Sequence, residues 1–170
     1  MIQFKDKVGM HGWVKIEALY PDGSTELLCE DHNTLTTSLF TTMASMLAGQ
    51  VGTLTGTDLR TVQTGTAKWA TYMKVGSGTT PALATDTDLE SSIVSISISA
   101  VAFSSPMAGS VAMSATLPGG LVESEYNTVP LTEVGLFSES GVMLARQVYT
   151  AITKSSSFQL QYTWTITFRS

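Results

Sequence analysis

A stretch near the C-terminus, SFQLQYTWTITF, alternates strictly between apolar and polar side chains. Its apolar members are Phe158, Leu160, Tyr162, Trp164, Ile166 and Phe168, with Gln and Thr residues between them. A period of two places successive side chains on opposite faces of an extended strand. The stretch therefore predicts a long amphipathic β-strand, around which the rest of the chain must be arranged.

Similar alternation elsewhere predicts three antiparallel hairpins, because each alternating pair brackets a run of turn-forming residues. The pairs are Val14–Tyr20 with a return strand through Leu27 and Cys29, residues 94–102 with 111–117, and EVGLF with VMLARQVYTAI. Their turns are placed at Pro21-Asp22-Gly23, at 105–109 and at 138–141. A further strand is expected from Trp69 to Val75.

One segment, NTLTTSLFTTMASMLAG, has helical spacing of its large apolar residues. Thr34 or Thr36 can cap its start, and Gly49 suits its end. The Thr- and Gly-rich residues 50–67 follow as a long loop or arm. We therefore expect a mainly β protein: an antiparallel two-sheet β-sandwich with one amphipathic helix, forming a single domain over 1–170 with 1–12 as a candidate N-terminal arm.

Composition limits the partners. Charged residues make up only 14% of the chain and hydrophobic residues 43%, so we expect neighbouring subunits to cover part of the surface. The net charge is -5 and the basic residues are scattered, which argues against nucleic acid as a partner. The single Cys29 excludes an internal disulfide. No apolar run resembles an export signal or a membrane span, so we expect neither.

The stretch KVGSGTTPALATDTDL, from Lys74 to Leu89, raises the question of a binding site, since a glycine-rich turn precedes a run of acids. A dinucleotide fingerprint needs a third glycine and an immediate helix, and a phosphate-binding P-loop needs a Gly-Lys-Ser/Thr ending. Neither is present. The pattern therefore favours a turn between two strands, and no cofactor is predicted.

The acids Asp86, Asp88 and Glu90 allow two interpretations. They could offer oxygens to a divalent ion, although the glycine and the distal glutamate of a calcium loop are missing. Alternatively, Thr85 or Asp86 caps a short helix whose positive end the other two acids complement. The second interpretation fits more of the residues, and no metal site is predicted.

No catalytic constellation stands out. The histidines are His11 and His32, and no serine lies in a G-x-S-x-G turn. His32 follows Asp31, and we interpret the two as a surface pair at the end of a strand. No catalytic residue is therefore predicted, and we expect a protein that is not an enzyme.

The order of several segments is more informative than any one of them. These are Asn33-Thr34-Leu35-Thr36 before an apolar helix, MKVGSGTTP with DTDL, LTEVGLF, and Lys154-Ser155 before a closing WTITF strand. Over about residues 12–168 this order resembles small structural proteins of tailed bacteriophages, of the tail fibre, collar or minor tail type. The most specific pieces are VGSGTTP...DTDL and TEVGLF. The resemblance implies a structural role in the virion and no catalytic residue.

The TEVGLF segment supplies candidate interface residues. Alternation places Val134 and Leu136 on one face and Phe137 on the other, where it can act as an aromatic anchor. Gly135 leaves room for a neighbouring backbone. Glu133 is expected to pair with Arg146 of the next strand, either as an ordinary exposed pair worth at most about 1 kcal/mol or, as the scarcity of charged residues slightly favours, in a buried or interface position. With Trp69, these make the predicted interface set Glu133, Gly135, Phe137, Arg146 and Trp69.

We therefore expect a non-enzymatic virion protein, made in the host cytoplasm, that forms a homo-oligomer in the tail, collar or fibre-attachment region, most simply a homotrimer bound to other virion proteins. One alternative is a capsid decoration protein that stabilises the coat lattice. A less favoured alternative is a receptor- or glycan-binding sandwich, in which Trp13, Trp69 or Tyr126 would be a stacking platform for a host-surface glycan.

Overall fold

The alternating C-terminal stretch forms the central strand of a five-stranded antiparallel sheet. The computed structural model describes residues 9–41, 70–103, 109–119 and 126–169. Within them the strands are β1 Gly9–Leu19, β2 Thr25–His32, β3 Thr34–Leu35, β4 Ala70–Gly76, β5 Ser92–Ser97, β6 Ala100–Phe103, β7 Ser110–Leu117, β8 Pro130–Ser138, β9 Met143–Thr153 and β10 Gln159–Arg169. The first sheet has the order β2-β1-β10-β7-β6, and the second has β3-β9-β8-β4-β5. The predicted mainly β, two-sheet antiparallel sandwich is confirmed.

The core lies between the two sheets and takes the apolar set of each alternating strand. Leu160, Tyr162, Trp164 and Ile166 of β10 are all buried. Val14, Ile16 and Ala18 of the neighbouring β1 are fully buried as well, in register with them. The second sheet contributes inward residues such as Val134 and Leu136 of β8 to the same cluster. Burial of this continuous apolar layer is the main favourable term holding the sheets together.

Two of the predicted hairpins are confirmed, with glycine in the left-handed region at each turn. Gly23 has φ of 85° between β1 and β2, and Gly141 has φ of 81° between β8 and β9. Glycine adopts this conformation without the steric cost that a Cβ would add. The predicted Trp69–Val75 strand appears as β4, with Trp69 outside the described residues.

The third predicted hairpin is wrong in its first arm. Residues 94–102 do not form one strand, because the chain leaves the second sheet after β5 and enters the first sheet at β6. The Ile98 amide donates to the Thr71 carbonyl of β4, whereas the Ser99 amide donates to the Ser114 carbonyl of β7. Of the predicted first arm, only β6 pairs with β7, and the turn between these two strands lies partly outside the described residues. The alternation of side chains continues on both sides of such a crossing, so the sequence pattern does not reveal where the chain changes sheets.

The predicted helix begins after Thr36, one of its two expected caps, and is described over 37–41. The Thr36 hydroxyl oxygen lies 3.4 Å from the Leu39 amide nitrogen that donates to it, and the hydroxyl donates to the Met143 carbonyl. The cap therefore also fastens the helix to β9. The start of the predicted helical segment is wrong, because Thr34–Leu35 pair with β9 as the short strand β3. Residues 42–49 of the segment and the loop at 50–67 lie outside the described residues. Of the candidate N-terminal arm, residues 9–12 belong to β1 and 1–8 lie outside that description.

Candidate functional site

Residues 77–91 join β4 to β5, and we call them the acidic loop because they contain Asp86, Asp88 and Glu90. The loop folds back over the outward face of the second sheet. There it meets the side chains of β8 and β9 that do not point into the core. The VGSGTTP...DTDL and TEVGLF segments therefore form one structural unit.

Glu133 of β8 is the centre of this unit. Its side chain is fully buried and accepts five hydrogen bonds: from the amides of Gly78, Glu90 and Ser91, and from Nε and Nη2 of Arg146. The amide bonds tie both ends of the acidic loop to one carboxylate. A buried carboxylate is tolerated only when its charge and its lone pairs are satisfied, and here both conditions are met.

Arg146 of β9 completes the pairing from the other side. Its exposed fraction is 3%, and its Nη2 lies 2.8 Å from a Glu133 oxygen while its Nη1 lies 2.8 Å from Asp86. Glu90 is a more distant neighbour at 4.0 Å. The planar guanidinium can engage two carboxylates at once, which an ammonium group does less well. The expected Glu133–Arg146 pair therefore exists and is buried.

Gly76 at the end of β4 and Gly78 in the loop allow this close packing. A Cβ on Gly78 would lie 2.5 Å from Oε1 of Glu133 and equally close to Cβ of Glu90. One on Gly76 would lie 2.3 Å from the Ser91 carbonyl oxygen. Both distances are shorter than side chains tolerate. The glycine-rich turn therefore lets the backbone approach Glu133 rather than a bound phosphate.

The three acids of the loop accept hydrogen bonds from different donors. Asp86 accepts the Leu83 amide as well as Arg146, and Glu90 accepts the amides of Thr79 and Thr80. Asp88 pairs with Lys74 at 2.7 Å. The predicted short helix is wrong, because the loop contains turns instead. In the described part of the chain, no group of three or more His, Cys, Asp or Glu side chains is arranged to hold a metal ion.

Beside the ion pairs lies a small apolar cluster of Leu89, Phe137 and Met143. Phe137 is stacked on Tyr72 with ring centroids 5.4 Å apart, and the Lys74 ammonium lies 4.5 Å from the Phe137 ring centre. The predicted opposite orientations of Leu136 and Phe137 are confirmed, since Leu136 joins the main core. Gly135 makes room for the Phe137 ring and a Leu89 methyl group. The expectation that it makes room for another backbone is wrong.

Hydrogen bonds to the acids of the acidic loop hold the pKa values of Asp86 and Glu90 below their ordinary values. Burial alone would raise the pKa of Asp86, but the hydrogen bonds from the Leu83 amide and Arg146 outweigh it and the pKa lies below its ordinary value. The amides of Thr80 and Thr79 lower the pKa of Glu90. Burial acts to lower the pKa of Arg146, and its bonds to Asp86 and Glu133 raise it overall. Such groups hold a loop and are poorly suited to proton transfer at neutral pH.

Of the predicted interface set, Glu133, Phe137 and Arg146 are buried within their own chain, and Gly135 lies among them. Trp69 lies outside the described residues. The role of these residues in a subunit interface stays a prediction, while their role inside the protomer is what the contacts describe. Sequence reasoning missed the Thr132 hydroxyl, which donates to the Gly78 carbonyl at 2.7 Å and closes the same unit. No periodicity signals a bond between residues so far apart in the chain.

The remaining predicted aromatic and histidine residues lie elsewhere. His32 ends β2 and lies outside the acidic-loop unit. Its ring packs against Trp13 with ring centroids 3.5 Å apart and the rings tilted by 35°. Its amide donates to the adjacent Asp31 carboxylate, and both side chains are exposed, as expected for a surface pair at a strand end. Trp13 is 38% exposed, whereas Tyr126 is buried beneath the Lys154 ammonium. Tyr126 is therefore unsuited to be a stacking platform.

Comparison of the chain with protein-family models, with curated protein sequences and with solved structures gives no match. Among the described residues, no helix combines the length and the apolar character that crossing a bilayer requires.

Proposed function

We propose that this chain is a non-enzymatic structural protein of a tailed-bacteriophage virion, which forms a homo-oligomer in the tail, collar or fibre-attachment region. The observation that carries the proposal is the meeting of the two most specific segments of the sequence resemblance. VGSGTTP...DTDL and TEVGLF lie far apart in the chain, yet Glu133 accepts the Gly78 amide in a buried hydrogen bond, and Leu89 packs with Phe137. The residues that resemble those phage proteins are thus the residues that fix one loop on one sheet.

The chemistry of this unit supports a structural role. Its carboxylates accept hydrogen bonds from backbone amides, Lys74 or Arg146. A catalytic site usually keeps a nucleophile, an acid or a base poised toward a substrate. The described part of the acidic-loop unit offers instead a fixed, internally paired network. The low charged fraction of the chain, 14%, favours a surface that is partly covered by other virion proteins.

The proposal is tested by quantitative mass spectrometry of purified virus particles, with the copy number of this chain measured against the major coat protein. A few to some tens of copies per particle support a position in the tail, collar or fibres. About one copy per coat subunit favours the alternative of capsid decoration. Absence from particles contradicts both. Native mass spectrometry of the purified protein tests the homo-oligomer separately, with a trimer as the expected species.

A further inference from the structure

One end of the sandwich carries a cleft of about 340 Å³ that shares no residue with the acidic-loop unit. We call it the end cleft, and it is lined by residues 19–21, Gly119 and residues 156–159. These belong to the end of β1 and the turn after it, the segment after β7, and the entry to β10. Its volume lies within the range of about 300–1,000 Å³ found for small-ligand sites.

Two aromatic rings form part of the wall of the end cleft and are held in place by their own chain. The ring centroids of Tyr20 and Phe158 are 5.6 Å apart, and the rings are tilted by 46°. The Tyr20 hydroxyl donates to Glu26 at 2.7 Å. On another side of Phe158, the buried Lys154 ammonium lies 5.9 Å from the ring centre. The rings therefore have a defined arrangement before any ligand arrives, which reduces the entropic cost of binding.

Gly119 lies close to the backbone at the entry to β10. A Cβ there would lie 3.2 Å from the carbonyl carbon and oxygen of Phe158 and 3.4 Å from Cγ of Gln159. A side chain at this position would therefore press on the entry to β10 and require a shift of a few tenths of an ångström.

The lining is neutral and carries polar groups next to the rings. Ser156, Ser157 and Gln159 are exposed and present two hydroxyls and one amide, and the Ser157 hydroxyl also lies 2.6 Å from that of Ser155. Among the described residues, no charged side chain lines the cleft, and the Lys154 ammonium is directed to Asn127 and to the Ser155 carbonyl. These residues therefore offer no free cation to a phosphate or another anion. A sugar ring has an apolar C–H face for an aromatic ring and hydroxyls for neutral polar groups.

We propose that the end cleft binds a neutral saccharide, with one sugar ring against Tyr20 and Phe158 and its hydroxyls bonded to Ser156, Ser157 and Gln159. This site differs from the glycan platform considered at Trp13, Trp69 or Tyr126, because neither Trp13 nor Tyr126 lines the end cleft. The inference stands apart from the virion proposal, since it depends only on the lining of the cleft.

The test is a nitrogen-15 NMR titration of the full chain with two neutral trisaccharides, maltotriose and N,N′,N″-triacetylchitotriose. Amide shifts confined to residues 19, 20, 119 and 156–159, with at least one of the two sugars, are the expected result. Tyr20→Ala should weaken that binding at least tenfold. Tyr20→Phe keeps the ring and loses only the bond to Glu26, so it should bind within about threefold of the natural chain. Trp13→Ala removes another exposed aromatic ring and should leave the affinity unchanged.

Three results would overturn the inference: no shifts with either sugar up to about 10 mM, shifts that disappear in Trp13→Ala, or binding that Tyr20→Ala leaves intact. The amide spectrum of each variant reports whether it is folded, and the location of the shifts in the natural chain tests the inference should Tyr20→Ala unfold. These outcomes are independent of copy number in particles, so failure of one proposal does not imply failure of the other.

Discussion

The Glu133 carboxylate lies 2.8 Å from Nη2 of Arg146, and the same carboxylate accepts the amides of Gly78, Glu90 and Ser91. One buried acid thus joins two strands and both ends of a loop. Because removal of either charge leaves the other buried without its partner, this pair is the point at which the fold of the acidic loop is most sensitive to substitution.

Glu133→Gln should therefore destabilise the protein by about 3–5 kcal/mol, the cost of breaking a buried ion pair from one side. The amide also presents an NH₂ group where the carboxylate accepted hydrogen bonds. Urea unfolding monitored by tryptophan fluorescence measures the loss. Glu17→Gln is the matched control, since its pair with Lys15 lies at the surface and is worth less than about 1 kcal/mol. Equal effects of the two substitutions would contradict the central position of Glu133.

Gly78→Ala should cost more than a backbone conformational penalty, because its Cβ would lie 2.5 Å from the Glu133 carboxylate. Gly23→Ala provides the comparison, since Gly23 has φ of 85° and open space around it. That substitution should cost about 1–2 kcal/mol through backbone strain alone. Thermal unfolding of the two variants separates crowding from strain. A smaller loss for Gly78→Ala than for Gly23→Ala would mean that the loop is not pressed against Glu133.

Acid should destabilise the protein partly through Asp86, whose folded pKa is lower than its ordinary value of 3.8. Burial opposes this shift, and the bonds from Leu83 and Arg146 outweigh the burial. A lowered pKa means that the unfolded chain binds the proton more readily, so the stabilisation is complete above the unfolded pKa and is lost as the pH falls through the folded pKa. Asp86→Asn should lower stability at pH 7 and flatten the decline below about pH 4. Urea midpoints between pH 7 and pH 2.5 test this, and an unchanged slope would count against it.

Lys154 should behave in the opposite direction. Burial lowers its pKa below the ordinary 10.5, so its charged form is disfavoured in the folded chain. The resulting penalty is present below the folded pKa and disappears as the pH rises toward the unfolded value. Lys154→Met removes the charge at similar volume and should be neutral to stabilising at pH 7, within about 1 kcal/mol. Its advantage should shrink as the pH rises toward the ordinary lysine pKa of 10.5, which pH-dependent thermal melts can follow. A loss of several kcal/mol at pH 7 would show that the Lys154 bonds to Asn127 and Ser155 outweigh its burial.

The sheets were largely predictable, because strict alternation in β10 and β1 leaves one register that turns the alternating apolar set toward the core. The Glu133–Arg146 pair was predictable as well, since hairpin neighbours on the same face lie close together. The sheet switch at Ile98 and Ser99 was not, because neither residue differs in type from its neighbours along the strand. The loop conformation depends on long-range amide bonds to Glu133, and a local capping pattern at Thr85 and Asp86 predicted a helix in their place.

The end cleft could not be predicted from sequence either. Tyr20, Gly119 and Phe158 belong to three separate parts of the chain. Only the pairing of β1 and β7 with β10 brings these segments to the same end of the sandwich.

We infer that the glycine-rich stretch and its acids are fixed internal structure and not an open site. Amide hydrogen exchange measured by NMR tests it most directly at Gly78 and Ser91, whose amides donate to Glu133 over 3.0 and 2.7 Å. We expect these two amides to exchange as slowly as the paired amides of β8, and to lose this protection in Glu133→Gln. Exchange at the rate of an unprotected loop in the natural chain would contradict it, and would leave VGSGTTPALATDTDL free to serve a ligand or partner.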